Sequence, residues 1–219
     1  MKILLIGPPG VGKGTQSKLI CEFYGLSHIS TGDILRKHID RCTNIGRVIN
    51  RFDINNGKFV PDKLINDLIK QMNIEGLFKK SYLLDGYPRT LNQAEFYVNK
   101  ILDKLSKYIV IYLNASREYI LDRISQRRIC SGCGNVYNLK NVSPKNSGIC
   151  DECGKSLIQR LDDRIDVFNG RLEIYDKMTL DVIKYFMSLN VLFEVDASRE
   201  INDVFGNIKN IIGEYYDLY

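Results

Sequence analysis

Gly7-Pro8-Pro9-Gly10-Val11-Gly12-Lys13-Gly14-Thr15 follows directly on the apolar run Lys2-Ile3-Leu4-Leu5-Ile6. That run is short, continuous and stopped by glycine, the pattern of a strand buried on both faces of a parallel sheet. After the glycines, Lys13–Tyr24 has helical spacing, with Leu19, Ile20 and Phe23 on one side. Strand, glycine loop and helix in this order open a βαβ unit. They also make a phosphate-binding P-loop. The glycines let backbone N–H groups turn inward around phosphate oxygens, the helix N-terminus adds partial positive charge, and Lys13 reaches the β and γ phosphates. A glycine-rich turn with an incidental lysine is the competing reading, and the flanking strand and helix argue against it.

The loop departs from the general pattern at one place. A Ser or Thr usually follows the lysine and its hydroxyl meets Mg²⁺. Here Gly14 follows, and Thr15 comes one position later. Magnesium must then depend on phosphate oxygens, water and a carboxylate from elsewhere. Leu83-Leu84-Asp85-Gly86 supplies one: an apolar strand ending in an acid, which in P-loop proteins orients Mg²⁺ or its waters.

Outward from the loop, Tyr82–Asp85, Tyr108–Leu113 and Val191–Val195 read as further buried strands, with His28–Ser30 a weaker one. Helical patterns cover Pro61–Ile74, Leu91–Leu105, Ser116–Arg127 and Ile201–Tyr216. Leu161, Ile165, Phe168, Leu172 and Tyr175 alternate spacings of four and three, which predicts a long amphipathic helix. Repeated β-α units predict an α/β fold with helices on both faces of a parallel sheet. Two stretches interrupt it. Ser30–Val60 is polar and helical in pattern, and Arg128–Gln159 is rich in Gly, Ser, Asn, Cys and Pro with no helical period.

The chain has 219 residues, enough for one domain with insertions or two small ones. It is 44% hydrophobic and 26% charged, with no run long enough to cross a bilayer and no signal-peptide pattern, so a cytoplasmic protein is expected. The net charge of +5 suits an anionic ligand, but no dense Lys/Arg run marks a nucleic-acid arm.

Arginines gather in the remaining patterns. Arg89 lies in a strand-to-helix loop, where it can grip a phosphate bidentately or form a surface salt bridge. Arg123 and Arg127 are four apart on one helical face. Arg160 and Arg171 are eleven apart, which as a continuous helix places them on one face roughly 16 Å apart, with Asp162 and Asp163 beside Arg160. Together these arginines predict a cage around a polyphosphate. Phosphoryl transfer needs such a cage, because its transition state spreads charge over equatorial oxygens and catalysis is positioning plus electrostatics. Neither His28 nor His38 sits in a nucleophile-like context.

Cys130-x₂-Cys133-x₁₆-Cys150-x₂-Cys153 has the spacing of a closed four-thiolate Zn²⁺ site. A mostly polar subdomain of this size cannot bury enough apolar surface alone, which makes the metal structural. Cys21 and Cys42 read as plain thiols.

These residues resemble the adenylate kinase family nearly end to end. The carriers are GPPGVGKGTQ at 7–16, Ser30-Thr31-Gly32-Asp33 with Arg36, Leu84 to Thr90 with Gln93, Asp122-Arg123 with Arg127, and Gln159 to Asp163 with Arg171. The resemblance implies a three-layer P-loop kinase core (1–29, 61–126 and 164–219), an inserted helical NMP-binding segment (30–60) and a zinc-binding lid (127–163). It implies ATP at Gly10, Val11, Gly12, Lys13, Gly14, Thr15, Arg123, Arg127, Val136, Tyr137 and Arg199. It implies AMP at Thr31, Arg36, Lys58, Phe59, Val60, Gly86, Tyr87, Pro88, Arg89, Gln93, Arg160 and Arg171. Lys13, Arg89, Arg127, Arg160 and Arg171 would surround the transferring phosphoryl group, Asp85 would hold magnesium through water, and Cys130, Cys133, Cys150 and Cys153 would hold zinc. Tyr87 stands where the family motif usually has phenylalanine, and Arg199 where many members have lysine. The implied reaction is ATP + AMP ⇌ 2 ADP with Mg²⁺, by a monomer without nucleic-acid or membrane partners. Gln93 and Thr31 point to adenine as the acceptor base, since an amide donates and accepts at once. Another nucleotide pair, with GTP as donor or UMP/CMP as acceptor, is the nearest alternative. A zinc-ribbon nucleic-acid ATPase is a more distant one that leaves Asp85–Thr90 and Arg36 without a role.

Overall fold

The computed structural model describes residues 1–52, 60–103 and 105–217. Lys58 and Phe59, expected in the acceptor site, lie outside the described residues. The chain begins β1 (Lys2–Ile6), α1 (Lys13–Tyr24), β2 (Ser27–Ser30), α2 (Thr31–Asp40), α3 (Asn44–Asn50), α4 (Asp62–Ile74) and β3 (Tyr82–Asp85). Next come α5 (Leu91–Phe96), a π-helical turn (Tyr97–Ile101), β4 (Ile109–Asn114) and α6 (Arg117–Gln126). β5 (Arg127–Cys130), β6 (Val136–Asn138) and β7 (Leu157–Ile158) are short. A 3-10 turn (Leu161–Asp163), α7 (Ile165–Ser188), β8 (Leu192–Asp196) and α8 (Ile201–Tyr216) close the described chain. No described helix is long and apolar enough to cross a membrane.

The main sheet is parallel, in the order β2-β3-β1-β4-β8. The continuous apolar run of β1 is explained by its central place. Leu4 and Ile6 enter one core with Tyr82, Leu84, Val110, Ile69, Tyr97 and Phe186. Ile3 and Leu5 enter the opposite core with Leu83, Ile109, Ile111, Ile20, Ile208 and Ile212. Alternate residues thus bury against helices on alternate faces. Full burial of each large aliphatic side chain stabilises the fold by about 1.5–3 kcal/mol relative to exposure. The register then positions the site. Leu5 pairs with Asp85, and Ser30 pairs with the same Asp85 from the other side, so the carboxyl ends of three strands meet where the glycine loop begins.

α2 and α3 form a capped helical hairpin. Ser30 Oγ accepts from Asp33 N at 3.3 Å, and Thr43 Oγ1 accepts from Gly46 N at 3.0 Å. Thr43 Oγ1 also lies 2.9 Å from His38 Nδ1, which makes His38 a structural residue. Gly46 is required sterically, because a Cβ there would collide with the His38 carbonyl.

Two sequence expectations are corrected. The helix beginning at Leu91 does not reach Leu105. It widens into the π turn and stops at Ile101, where Leu102 turns extended. Leu105 is 99% exposed. The long helix begins at Ile165, not near Leu161. Leu161 and Ile165 are exposed, while Asp163 is buried, so acidic residues and not the apolar pattern face inward at this corner. The stretch 128–159 also contains what no period announced: β6-β5-β7 is an antiparallel sheet of two- to four-residue strands over Cys130, Tyr137, Cys150 and Leu157. Such strands are too short to show a period.

Replacing Gly46 by Ala should lower stability by about 1–3 kcal/mol, the usual cost of overpacking, as measured by urea denaturation. Unchanged stability would show that α2 and α3 can separate freely.

Candidate active site

The glycine loop runs from the end of β1 to the first turn of α1. Lys13 Nζ lies across its own loop, donating to Gly7 O at 2.7 Å and Pro8 O at 2.9 Å. Burial lowers the Lys13 ammonium to about 7; Asp85 raises it in part, and Arg89, Arg171 and Arg127 lower it again. α6 reaches the loop from the other side, where Arg123 Nη1 donates to Val11 O at 3.2 Å. Val11, Gly12, Thr15, Gln16, Arg123, Ala197, Arg199 and Ile201 line a cleft beside the loop. Arg199 stands at its rim, ion-paired to Asp196 at 3.4 Å.

At the end of β3, Asp85 is buried. Its Oδ2 accepts from Ser17 Oγ at 3.5 Å and lies 3.6 Å from His28 Nε2. No local pattern announces this His28 contact, because it depends on β2 and β3 being neighbours. Thr31 Oγ1 donates to the Asp85 carbonyl at 3.2 Å, and Arg89 Nε donates to Gly86 O at 2.7 Å. Gly86 has φ 78°, and a Cβ there would come within 3.1 Å of both Thr31 Oγ1 and Arg89 Nη2. Thr31, Gly86 and Arg89 therefore form one surface although 54 positions separate Thr31 from the Asp85 it bonds.

The arginines expected around a polyphosphate meet the fold's own carboxylates. Arg127 is the first residue of β5, not the end of a helical face shared with Arg123, and its guanidinium forks onto Asp163, whose side chain is fully buried. Arg160 forks onto Asp162 at 2.8 and 2.5 Å. Arg171 Nη1 donates to the same carboxylate at 2.8 Å and to Asp162 O at 3.0 Å. The helical placement of Arg160 and Arg171 roughly 16 Å apart is thus corrected: the 3-10 turn folds Arg160 back, and both guanidinia share Asp162. Burial disfavours charge on Arg171, Asp162 favours it, and Arg160, Arg89 and Arg127 oppose it. Arg89 responds to burial, Asp85, Arg36 and Arg160. Lys13 therefore feels Arg89, Arg171 and Arg127, while Arg160 acts on Arg89 and Arg171.

Gln93 on α5 is buried, with Oε1 accepting from Arg89 N at 2.8 Å and Nε2 donating to Asp62 Oδ1 at 2.7 Å. Tyr87, also fully buried, brings its hydroxyl 2.8 Å from Asn66 Oδ1 and 3.0 Å from Gln93 O. The hydroxyl that distinguishes Tyr87 from phenylalanine thus has polar partners. Pro88 and Val60 are buried nearby in sequence to this cluster. Arg36 is ion-paired with Asp33 at 2.5 Å. Asp62, Asn66 and His28 were not singled out from sequence; nothing in their spacing predicts partners more than 20 residues away.

Cys130, Cys133, Cys150 and Cys153 bring their sulfurs within 4.8 Å of one another. Zn–S bonds of about 2.3 Å imply tetrahedral S–S edges of about 3.8 Å, so the cluster is compatible with zinc. The Cys133 and Gly132 N–H groups point at Cys130 Sγ at 3.4 and 3.3 Å. The Cys133 amide is the main reason the Cys130 thiol falls to about 6, against desolvation, with Gly132 adding to it. Tyr137 has its ring buried in this cluster, with its hydroxyl 3.5 Å from Cys150 Sγ and accepting from Asp151 N at 2.8 Å. Val136 beside it is half exposed.

The family model for adenylate kinase matches residues 5–191. Among curated relatives, the adenylate kinase of Clostridium tetani (strain Massachusetts / E88) is 44% identical over 214 residues, covering 97% of this chain and 99% of the relative. That of Fervidobacterium nodosum is 42% identical over 217 residues, covering 98% and 99%. That of Thermosipho melanesiensis is 42% identical over 214 residues, covering 97% and 99%.

The lowered Lys13 gives a pH prediction. Above about 7 the free protein holds Lys13 increasingly neutral, and a bound phosphate group favours the ammonium, so binding must take up protons. Affinity for a polyphosphate ligand should therefore fall as pH rises from 7 towards the unperturbed lysine value of 10.5. Calorimetry at pH 8.5 in two buffers of different ionisation enthalpy should detect the uptake; identical heats would contradict it.

Proposed function

The chain belongs to the adenylate kinase family, whose reaction is reversible transfer of the terminal phosphoryl group of ATP to AMP, and we propose that this chain performs it with ATP on Gly10–Thr15 and AMP between Thr31 and Gln93. It is a phosphotransferase that yields two ADP and balances adenine nucleotides. What supports this division of the site is that Lys13 rests on the glycine loop while feeling Asp85, Arg89, Arg171 and Arg127, and that Thr31, Gly86 and Arg89 form one surface at the end of β3.

Each residue's part follows from its chemistry. The backbone N–H groups of Gly10–Thr15 and the α1 N-terminus cradle the donor phosphates, and Lys13 releases Gly7 O and Pro8 O to meet them. Arg123 and Arg127 approach the same phosphates, and Val136, the Tyr137 backbone and Arg199 border the donor base. Thr31, Arg36, Val60, Gly86, Tyr87, Pro88, Arg89 and Gln93 form the acceptor side, and the family resemblance adds Lys58 and Phe59, which lie outside the described residues. Arg89, Arg160 and Arg171 bind AMP phosphate and, with Lys13 and Arg127, stabilise the charge that spreads over the transferring group. The AMP phosphate is already an anionic nucleophile, so no side chain is needed as a general base.

Asp85 would hold Mg²⁺ through water. Magnesium bound with ATP screens phosphate charge and orients the oxygens. The four cysteines would hold a structural Zn²⁺, which in small modules supplies about 10 kcal/mol or more of folding energy. We divide the chain into a core (1–29, 61–126, 164–219), an NMP-binding segment (30–60) and a lid (127–163). Arg127 and Arg160 flank the lid insertion, so its closure would carry both onto the phosphates and exclude water. A cytoplasmic monomer acting on free nucleotides completes this reading.

A coupled assay over nucleotide pairs tests it. ATP with AMP should be the fastest pair, and UMP phosphorylated much faster than AMP would overturn the acceptor assignment. Cys130→Ser should lose bound zinc and lower the melting temperature, with the KM for ATP raised more than the KM for AMP. Unchanged zinc content and melting temperature would refute the metal assignment.

A further inference from the structure

An amide side chain has two N–H donors and two carbonyl lone pairs, and a half-turn about its last bond reverses their order. Gln93 is 2% exposed, and one donor and one lone pair are already committed inside the fold. Nε2 faces the Asp62 carboxylate, and Oε1 faces the Arg89 N–H. A carboxylate accepts and a backbone N–H donates, so these two partners fix which end is which. Asp62 is itself held. Thr90 Oγ1 donates to its Oδ2 at 2.8 Å, and the same Oγ1 accepts from Gln93 N at 3.2 Å. Asp62 sits in the first turn of α4, whereas Thr90 and Gln93 belong to the start of α5, so the lock joins two helices.

We propose that Asp62 is a specificity-determining positioning residue: by locking the Gln93 amide in one orientation, it makes the acceptor site select a 6-amino purine over a 6-oxo purine. The inference rests on the reading that Gln93 meets the acceptor base. Adenine presents an N1 acceptor beside an N6 donor. Hypoxanthine presents the reverse, an N1–H donor beside an O6 acceptor. An amide free to turn over serves both. A locked amide, with one N–H and one lone pair left, serves only one. Turning it over would press Oε1 against the Asp62 carboxylate and an N–H against the Arg89 N–H, losing two hydrogen bonds, one of them to a charged group.

The test compares AMP with IMP as acceptor, with ATP as donor, in the wild-type protein and in Asp62→Ala, Asp62→Asn and Gln93→Leu. The readout is the ratio of kcat/KM for AMP to that for IMP, with the KM for ATP and the melting temperature measured alongside. Asp62→Ala should lower the ratio by about tenfold or more, with the KM for ATP unchanged. Asp62→Asn preserves the shape but can turn its own amide, so it should lower the ratio too, and it carries the test if the alanine variant folds poorly. A fall in melting temperature with the ratio intact in both variants would overturn the proposal and leave Asp62 a structural residue. Gln93→Leu separates the two levels. If it keeps the ratio, the base-contact reading itself fails. If it loses the ratio while both Asp62 variants keep it, only the role of Asp62 fails.

Discussion

Cations that must close together on a polyphosphate repel one another before it arrives. Arg160 and Arg171 share one carboxylate, Asp162, and Arg127 forks onto another, Asp163. Coulomb repulsion between unit charges a few ångströms apart is several kcal/mol at a protein-like dielectric, about 4 at 4 Å. Two carboxylates set between three guanidinia offset much of it. Burial alone would raise the Asp162 carboxyl, but Arg160 and Arg171 hold it below the usual carboxylate range. The remaining imbalance is positive, and that surplus is what a phosphate chain relieves. The P-loop lysine shows the same strategy in miniature. It is charged only at a cost, and it rests on Gly7 and Pro8 carbonyls that a phosphate can replace.

The sheet makes this arrangement possible. A central strand buried on both faces leaves no freedom in register, since a one-residue slip would exchange its two cores. Fixing Leu5 against Asp85 and Ser30 against Asp85 brings together the loop, the carboxylate and Thr31. The cations then come from less regular places: the first residue of β5, the residue that caps the 3-10 turn, and α7. The segments they flank are tied by capping bonds, ion pairs and a cysteine cluster, and have little apolar core of their own.

Much of this was legible in the chain. Lys2–Ile6 and the glycines after it read as a buried strand feeding a phosphate loop, and the cysteine spacing announced its own cluster. Asp85 and Arg89 were readable because their chemistry sits next to each other in sequence. Other features had no local signal. Leu161 and Ile165 fit a helical stripe, yet both are exposed, because Asp162 and Asp163 gain more from facing arginines than the leucine would from burial. Tyr137 has the residue type of a base-stacking aromatic, but a two-residue alternation in a three-residue strand decides which way its ring points, and it points at the sulfurs. His28 and Asp62 matter only through neighbours that tertiary structure supplies.

The central claim is that the clustered cations act on the moving phosphoryl group and not merely on nucleotide binding. Single-turnover transfer from ATP to AMP by Arg171→Met, at saturating concentrations of both, tests it most directly. Arg171 stands on α7, outside both inserted segments, and its loss still leaves Arg160 on Asp162 and Arg127 on Asp163. The account predicts a transfer rate lower by about a hundredfold or more, with the fold intact. A transfer rate equal to the wild type at saturation, with only the KM values raised, would contradict it.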